Sequence, residues 1–191
     1  MRHSPKLIIV TGRPGSGKTT LSKELGRLLY LPVISRDEIK EGYVNTFNIK
    51  HDELPEDCNK TASEIFFDSI EFLLSRNVSL IAEAAFQHHV WEPRISHLGE
   101  YADILIVICE ADAELSARRH LERGMRDPNR EFYHGDKRVS HFRETGVFLP
   151  PSDYEPPSID VPTFIVSTTS SYRPELEKIK GQIVSLLELH D

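Results

Sequence analysis

An α/β fold, with a parallel sheet covered by helices on both faces, is the architecture this sequence predicts, and three observations predict it. Short β-rich runs recur at Lys6–Thr11, Pro32–Ser35, Val78–Ala82, Asp103–Cys109 and Thr163–Val166. Amphipathic stretches of helical period separate most of them, as consecutive βαβ units require. The first run leads directly into a glycine-rich turn, Gly12 to Gly17, and from there into a leucine stripe.

In chain order, Leu21, Leu25, Leu28 and Leu29 repeat at helical spacing after the turn and read as a core-facing stripe. Ile65, Phe66, Ser69 and Leu73 form the next stripe, with Thr61 and Glu64 spaced as a capping box at its start. The last comprises Leu176, Ile179, Ile183 and Leu186, with Pro174 suited to the first turn. Between the fourth and fifth strands, Pro150–Pro157 holds four prolines in eight residues and reads as a stiff connector inside one fold. No internal repeat or low-complexity tract interrupts the pattern.

The chain has 191 residues, 39% of them hydrophobic, enough for one domain (1–191) with a single core and no disulfide or metal support. A net charge of -7 argues against bulk electrostatic coating of nucleic acid or anionic membrane. Cys58 and Cys109 are the only cysteines, and Cys109 closes an apolar run, so a reducing, cytoplasmic setting is expected. The apolar runs fall short of the ~20 residues a membrane helix needs, and neither signal peptide nor anchor is expected. The histidines, His88-His89 included, show no zinc-ligand spacing.

The turn and the residues after it read Gly12-Arg13-Pro14-Gly15-Ser16-Gly17-Lys18-Thr19-Thr20. A polyphosphate needs many donors at close range, and Gly12, Gly15 and Gly17 let backbone N–H groups turn inward with no Cβ in the way. The helix opening there directs its free amides and positive dipole end at the same point. Lys18 can reach the β- and γ-phosphates and Thr19 can ligate Mg²⁺, so this is a phosphate-binding loop and ATP with Mg²⁺ is the expected cofactor pair.

A guanine-specific enzyme would need Asn/Thr-Lys-x-Asp; Asn59-Lys60-Thr61-Ala62 lacks the Asp, and no Asp has Gly three residues later. With Ser35-Arg36-Asp37-Glu38 closing the second strand, the layout resembles the small P-loop kinases: the chloramphenicol phosphotransferase, gluconate and shikimate kinase, zeta-toxin and polynucleotide kinase branches. That resemblance implies a P-loop NTPase three-layer α/β/α sandwich, with a five-stranded parallel sheet of order 2-3-1-4-5 and an Arg-rich lid.

Two readings of Asp37 stand side by side. As in the branches it resembles, its carboxylate would orient an acceptor hydroxyl and accept its proton; alternatively, Ser35 and Glu38 form a capping box and Asp37 only complements the helix dipole. Arg36 is a candidate for an anionic or hydroxylated substrate, or a solvated first-turn residue. Glu83 ends the third strand, where open α/β sheets bind ligands, and is a candidate for a Mg²⁺-bound water or a substrate hydroxyl. Gln87 follows as a candidate substrate contact.

Residues 118–143 carry eight Lys/Arg against four Asp/Glu in an otherwise acidic chain. Arg118, Arg119, Arg123 and Arg126 precede the helix breaker Asp127-Pro128, the arrangement of a hinged lid over phosphates. Following the family's lid, Arg123 and Arg126 are assigned to phosphate and Arg119 to stacking on adenine, with Thr168 and Thr169 as further base-side candidates. Tyr43, Phe47, Phe66 and Phe67 stand near the expected acceptor groove, or else in the core.

The expectation is a kinase passing the γ-phosphoryl of ATP to a hydroxyl of a small molecule. A polynucleotide 5′-hydroxyl kinase and a non-catalytic nucleotide sensor are the rivals; the oligomeric state stays open.

Overall fold

The computed structural model describes residues 4–189. Its single sheet contains β1 (Lys6–Thr11), β2 (Val33–Ser35), β3 (Leu80–Glu83), β4 (Asp103–Glu110) and β5 (Thr163–Ser167), all parallel, in the order β2-β3-β1-β4-β5. The order implied by the resemblance is the one found. β1 is central because both its faces are apolar: Leu7 and Ile9 face one helical layer, Ile8 and Val10 the other, all four fully buried. A strand buried on both faces suits the middle of a parallel sheet.

The helices are α1 (Lys18–Leu29), α2 (Arg36–Phe47), α3 (Cys58–Ser75), α4 (His88–Leu98), α5 (Ala113–Arg126), α6 (Asn129–His134), α7 (Lys137–Thr145) and α8 (Leu176–Leu187). α3 and α4 cover the first face of the sheet, with Phe66, Ile70, Trp91 and Ile95 against Leu7, Ile9 and Ile106. On the second face, α1 and α8 set Leu21, Leu25, Ile179 and Ile183 against Ile8, Val10 and Leu105.

Several local expectations change. α3 begins at Cys58, so Thr61 lies inside the helix and the Thr61/Glu64 box does not cap it. Its buried face is Cys58, Ala62, Phe66, Phe67, Ile70 and Leu74, which leaves Ile65 partly exposed and Leu73 at the margin. In α8 the third buried residue is Leu187, with Leu186 exposed, and Pro174 precedes the N-cap Glu175. Val78 sits outside β3 because Asn77, at φ 60°, turns the chain out of α3 and ties Val78 N–H to the Leu73 carbonyl.

The segment 146–162 contains no helix or strand and runs as a strap across the carboxyl end of the sheet. Arg138 donates to the Leu149 and Pro150 carbonyls, and Glu155 accepts from the His88 amide at 2.9 Å. The Tyr154 hydroxyl reaches Thr11 Oγ1 at 3.2 Å, and Thr11 also accepts from the buried Trp91 indole. The proline-rich connector is thereby fixed to the residue from which the phosphate loop departs. Among the described residues, no helix is long and apolar enough to cross a membrane.

Candidate active site

Every strand delivers its carboxyl end to one rim of the sheet, where the glycine-rich loop joins β1 to α1. Gly12, Gly15 and Gly17 all have positive φ, and Gly17, at 85°, is the N-cap of α1. The loop is wedged: a Cβ at Gly12 would stand 2.4 Å from the Cys109 carbonyl oxygen, and one at Gly15 2.0 Å from that of Ser116. Thr168 Oγ1 donates to the Ser16 carbonyl at 2.6 Å, so the end of β5 holds the loop from a third side. Ser16 Oγ is buried with no partner among the described residues. Thr20 is exposed at the loop's outer end, as is Pro14, while the Arg13 guanidinium lies over the Tyr154 ring at 5.7 Å.

Glu83 is the hub of the rim. Pairing of β3 with β1 and β2 sets it beside Val10 and Ser35. With 2% of its surface exposed, its carboxylate accepts from Ser35 Oγ at 2.9 Å and Thr19 Oγ1 at 3.3 Å, and faces Lys18 Nζ at 3.6 Å. A buried carboxylate needs such partners.

The bond from Ser35 to Glu83 decides one question about α2. Ser35 is its N-cap residue but makes no side-chain capping bond, and Glu38 turns to Lys23 at 2.7 Å. The capping-box alternative therefore does not form. Asp37, with 47% of its side chain exposed, has Arg36 at 3.6 Å. Burial pushes its carboxyl up, but the charges of Lys18, His134, Arg36 and Arg130 outweigh burial and hold it below the usual carboxylate range.

Lys18, Thr19, Glu83 and Asp37 are thus brought to one rim. Of the lid arginines, Arg119 donates to the Thr168 and Thr169 carbonyls at 2.9 and 2.6 Å and lines a groove of about 510 Å³ with Gly17, Thr20 and Tyr172. Thr168 is buried in structural bonds and Thr169 contributes its carbonyl. Arg123 is half-buried, and its Nε has no partner among the described residues. Burial and the charge of Arg130 hold its guanidinium below its ordinary pKa, against the opposing pull of Asp37 and Glu83.

Other candidates stand apart. Arg126 is 82% exposed beside Glu122 at 3.9 Å, and Arg118 pairs with Glu114. Arg36 is engaged with the Asn59 carbonyl at 2.9 Å and with Asn59 Oδ1 at 3.1 Å, joining α2 to α3. Gln87 serves as N-cap of α4, its carbonyl accepting from Val90. Phe66 and Phe67 pack against Phe86 and Trp91 in the core, mostly edge to face, while Tyr43 and Phe47 pair at 5.0 Å on α2.

Arg130 carries no local signal in the sequence. Arg130 acts on both Asp37 and Arg123 because Asp127-Pro128 ends α5 and the chain doubles back into α6. α6 docks on the acceptor side: His134 Nε2 lies 2.8 Å from Glu41, Tyr133 donates to Asn45 at 3.0 Å, and the His51 amide donates to the Phe132 carbonyl at 2.9 Å.

The loop fits a nucleoside triphosphate: a cradle from which a Cβ is excluded, an unpartnered serine hydroxyl and a buried lysine meet at a helix N-terminus. One hydroxyl and one buried carboxylate also suit Mg²⁺, which keeps several waters and takes few protein ligands. No cluster of three or more acid, His or Cys ligands occurs among the described residues.

Residues 7–144 match the profile of a family described as AAA domain. Cytidylate kinases of Pyrobaculum islandicum and Pyrobaculum calidifontis are 32% and 27% identical over 119 and 114 residues, 59% of this chain in both cases. The chain matches 58% of each relative's length. Among solved structures, a Chloroflexus aurantiacus protein assigned as a kinase superposes with TM-score 0.75 at 24% identity, over 98% of each chain. A gluconokinase of Sinorhizobium meliloti gives 0.54 at 14% identity, over 98% of this chain and 96% of that one. Shikimate kinase of Acinetobacter baumannii gives 0.52 at 18%, over 96% and 93%. At these identities the structural likeness is one of fold, and the family rests on the profile, whose span takes in the phosphate loop, Glu83 and the lid through most of α7. The chain belongs to the AAA-domain family of P-loop kinases.

Proposed function

We propose that this chain transfers the γ-phosphoryl group of ATP to a hydroxyl of a small molecule. The observation that carries the reading is Asp37: an ionised carboxylate at the first turn of α2, within the field of the phosphate-loop Lys18 and free of any capping duty. An alcohol needs an acceptor for its proton as it attacks, and a carboxylate at that spot supplies one.

Residues Gly12 to Thr20 hold the triphosphate by backbone amides, and Lys18 neutralises its β- and γ-oxygens. Arg119, held flat by two carbonyls, offers its guanidinium plane to adenine in the groove beside Thr20. Thr19 and Glu83 are the residues that would hold Mg²⁺, and the ion would offset charge on the phosphate oxygens. Asp37 accepts the hydroxyl hydrogen bond and aligns the oxygen with phosphorus. A new O–P bond forms as the bond to the ADP oxygen breaks, and the hydroxyl proton passes to Asp37 and then to solvent. A carboxyl held below its usual range is a weak base, so its main contribution is alignment, in keeping with the loose transition state of phosphoryl transfer. Arg123 supplies positive charge to the transferring group, and its unpartnered Nε is a donor for it. Arg126 has no such position, and Arg36 and Gln87 are engaged in joining α2 to α3 and in opening α4.

A second reading has one observation in its favour: the relatives are cytidylate kinases, a name that implies a cytidylate acceptor. A phosphate acceptor arrives already ionised and gains nothing from Asp37, which repels it. Incubation with Mg·ATP and a panel of sugars, sugar acids, 5′-hydroxyl oligonucleotides and cytidylate, followed by ³¹P NMR, separates these. A phosphomonoester on a small alcohol supports the proposal; product confined to a phosphoanhydride on cytidylate contradicts it.

A further inference from the structure

A second cavity, of about 280 Å³, opens beside the phosphate loop. Four segments border it: the loop at Arg13 and Pro14, one face of α5, the first turn of α7, and the strap between Leu149 and Ser152. It shares no residue with the groove beside Arg119, and none of Lys18, Asp37 and Glu83 lines it. The transfer of phosphate leaves it unused.

Its wall is electrically unbalanced. Arg13, Lys137 and Arg138 bring three cations, and Asp136 is the one carboxylate among the lining residues. That carboxylate is already taken: it is ion-paired with His120 and, as the N-cap of α7, accepts from the Arg138 amide at 3.0 Å. Burial pushes the Asp136 carboxyl up, but its bond to His120, the His120 charge and the α7 amides outweigh burial and keep it ionised. Arg138 is occupied as well, by the Leu149 and Pro150 carbonyls. Lys137 forms no hydrogen bond or ion pair among the described residues. Arg13 makes one long bond, at 3.4 Å, to the Ser152 carbonyl, and otherwise meets the Tyr154 ring. The nearby carboxylates of α5 do not answer these charges, since Asp112 caps the helix on the Leu115 amide and Glu114 pairs with Arg118. A recess lined by one sign of charge over an apolar wall concentrates counter-ions of the other sign.

The rest of the lining is apolar: Pro14, Ala113, Ala117, Leu149 and Pro151. At the ~30 Å³ a water takes in the liquid, the space holds about ten non-hydrogen atoms, more than a bare inorganic ion fills. We propose that this cavity binds a small organic oxyanion, its carboxylate or phosphate between Arg13 and Lys137 and its apolar body on Ala113, Ala117 and Leu149. The ligand is neither the nucleotide nor the phosphoryl acceptor, and it touches the phosphate loop, α5, α7 and the strap at once.

The test uses the full chain saturated with Mg²⁺ and a non-hydrolysable ATP analogue, so that the phosphate loop is filled. Benzoate, phenyl phosphate and the uncharged benzamide are titrated in separately by calorimetry for wild type, Lys137→Gln and Ala113→Leu, the last of which fills the cavity. Saturable binding of benzoate or phenyl phosphate to wild type is expected, with benzamide at least tenfold weaker. Lys137→Gln should weaken that binding about fivefold or more, the scale of one lost hydrogen bond to a charged group, and Ala113→Leu should abolish it. Whichever anion binds more tightly tells a carboxylate ligand from a phosphate one. No saturable binding of either anion to wild type overturns the proposal, and so does binding that Lys137→Gln leaves unchanged. Lys137 is exposed, so its substitution keeps the comparison valid should the leucine variant lose its fold.

Discussion

Asp37 and Lys18 act on each other across the rim, and the sign of that coupling fixes how activity responds to pH. Lys18, His134, Arg36 and Arg130 favour the ionised carboxylate over the effect of burial, so its pKa lies below the ordinary Asp value of about 3.9. Ionised Asp37 is then fully present at neutral pH and is lost only as pH falls through that depressed value. The acid limb of kcat/KM attributable to Asp37 should therefore fall below about pH 4; an acid limb near pH 6 that disappears in Asp37→Asn would contradict this. Cys109 shows the opposite case: burial is the main cause pushing its thiol up, to about 12. With thiolate scarce and the side chain buried, iodoacetamide at pH 8 should leave Cys109 unmodified in the native protein and label it after denaturation. The arginines differ in the same local way. Arg123→Ala should lower kcat by roughly 10²-fold, the scale of one lost transition-state donor, and Arg126→Ala by far less, because Arg126 lies in solvent beside Glu122. Equal losses at the two positions would return Arg126 to the site.

At the scale of elements, the phosphate loop was legible because its chemistry is local: glycines, lysine and threonine do their work within nine consecutive residues between one strand and one helix. Strands could be read for a similar reason, since β1 and β4 are apolar on both faces and need no partner to identify them. The stripe on α3 was misread because a helix with Ile65, Phe66, Phe67, Ile70, Leu73 and Leu74 offers two overlapping faces, and only the sheet beneath selects Phe66 and Ile70. Arg130 escaped notice because its significance arises where α6 folds back over α2, a contact between residues some 90 apart in the chain. That docking depends on Gly135. At φ 57°, a Cβ there would stand 1.7 Å from His51 Nε2. Gly135→Ala should thus loosen α6, reducing kcat/KM by about tenfold or more while the denaturation midpoint moves little, since the sheet and its two cores are untouched. A large fall in global stability with unchanged kinetics would place the effect elsewhere.

For the whole molecule, the arrangement follows from the rule that open α/β sheets bind ligands at the carboxyl ends of their strands. β1 contributes the loop, β2 leads to Asp37, β3 supplies Glu83, β4 leads to the arginine-rich segment, and β5 is followed by Thr168, which braces Ser16. The strap ties the 118–143 segment to the phosphate loop through Arg138 and Tyr154, so the two share one mechanical support. If this rim passes phosphate to a hydroxyl aligned by Asp37, acceptor-dependent ADP release must depend on that carboxylate, which is measured for wild type and Asp37→Asn beside the affinity of each for ATP. The substitution should lower acceptor-dependent turnover by roughly 10²-fold or more, with ATP affinity within about threefold of wild type. Turnover equal to wild type in Asp37→Asn, with the same acceptor and the same ATP affinity, would contradict it.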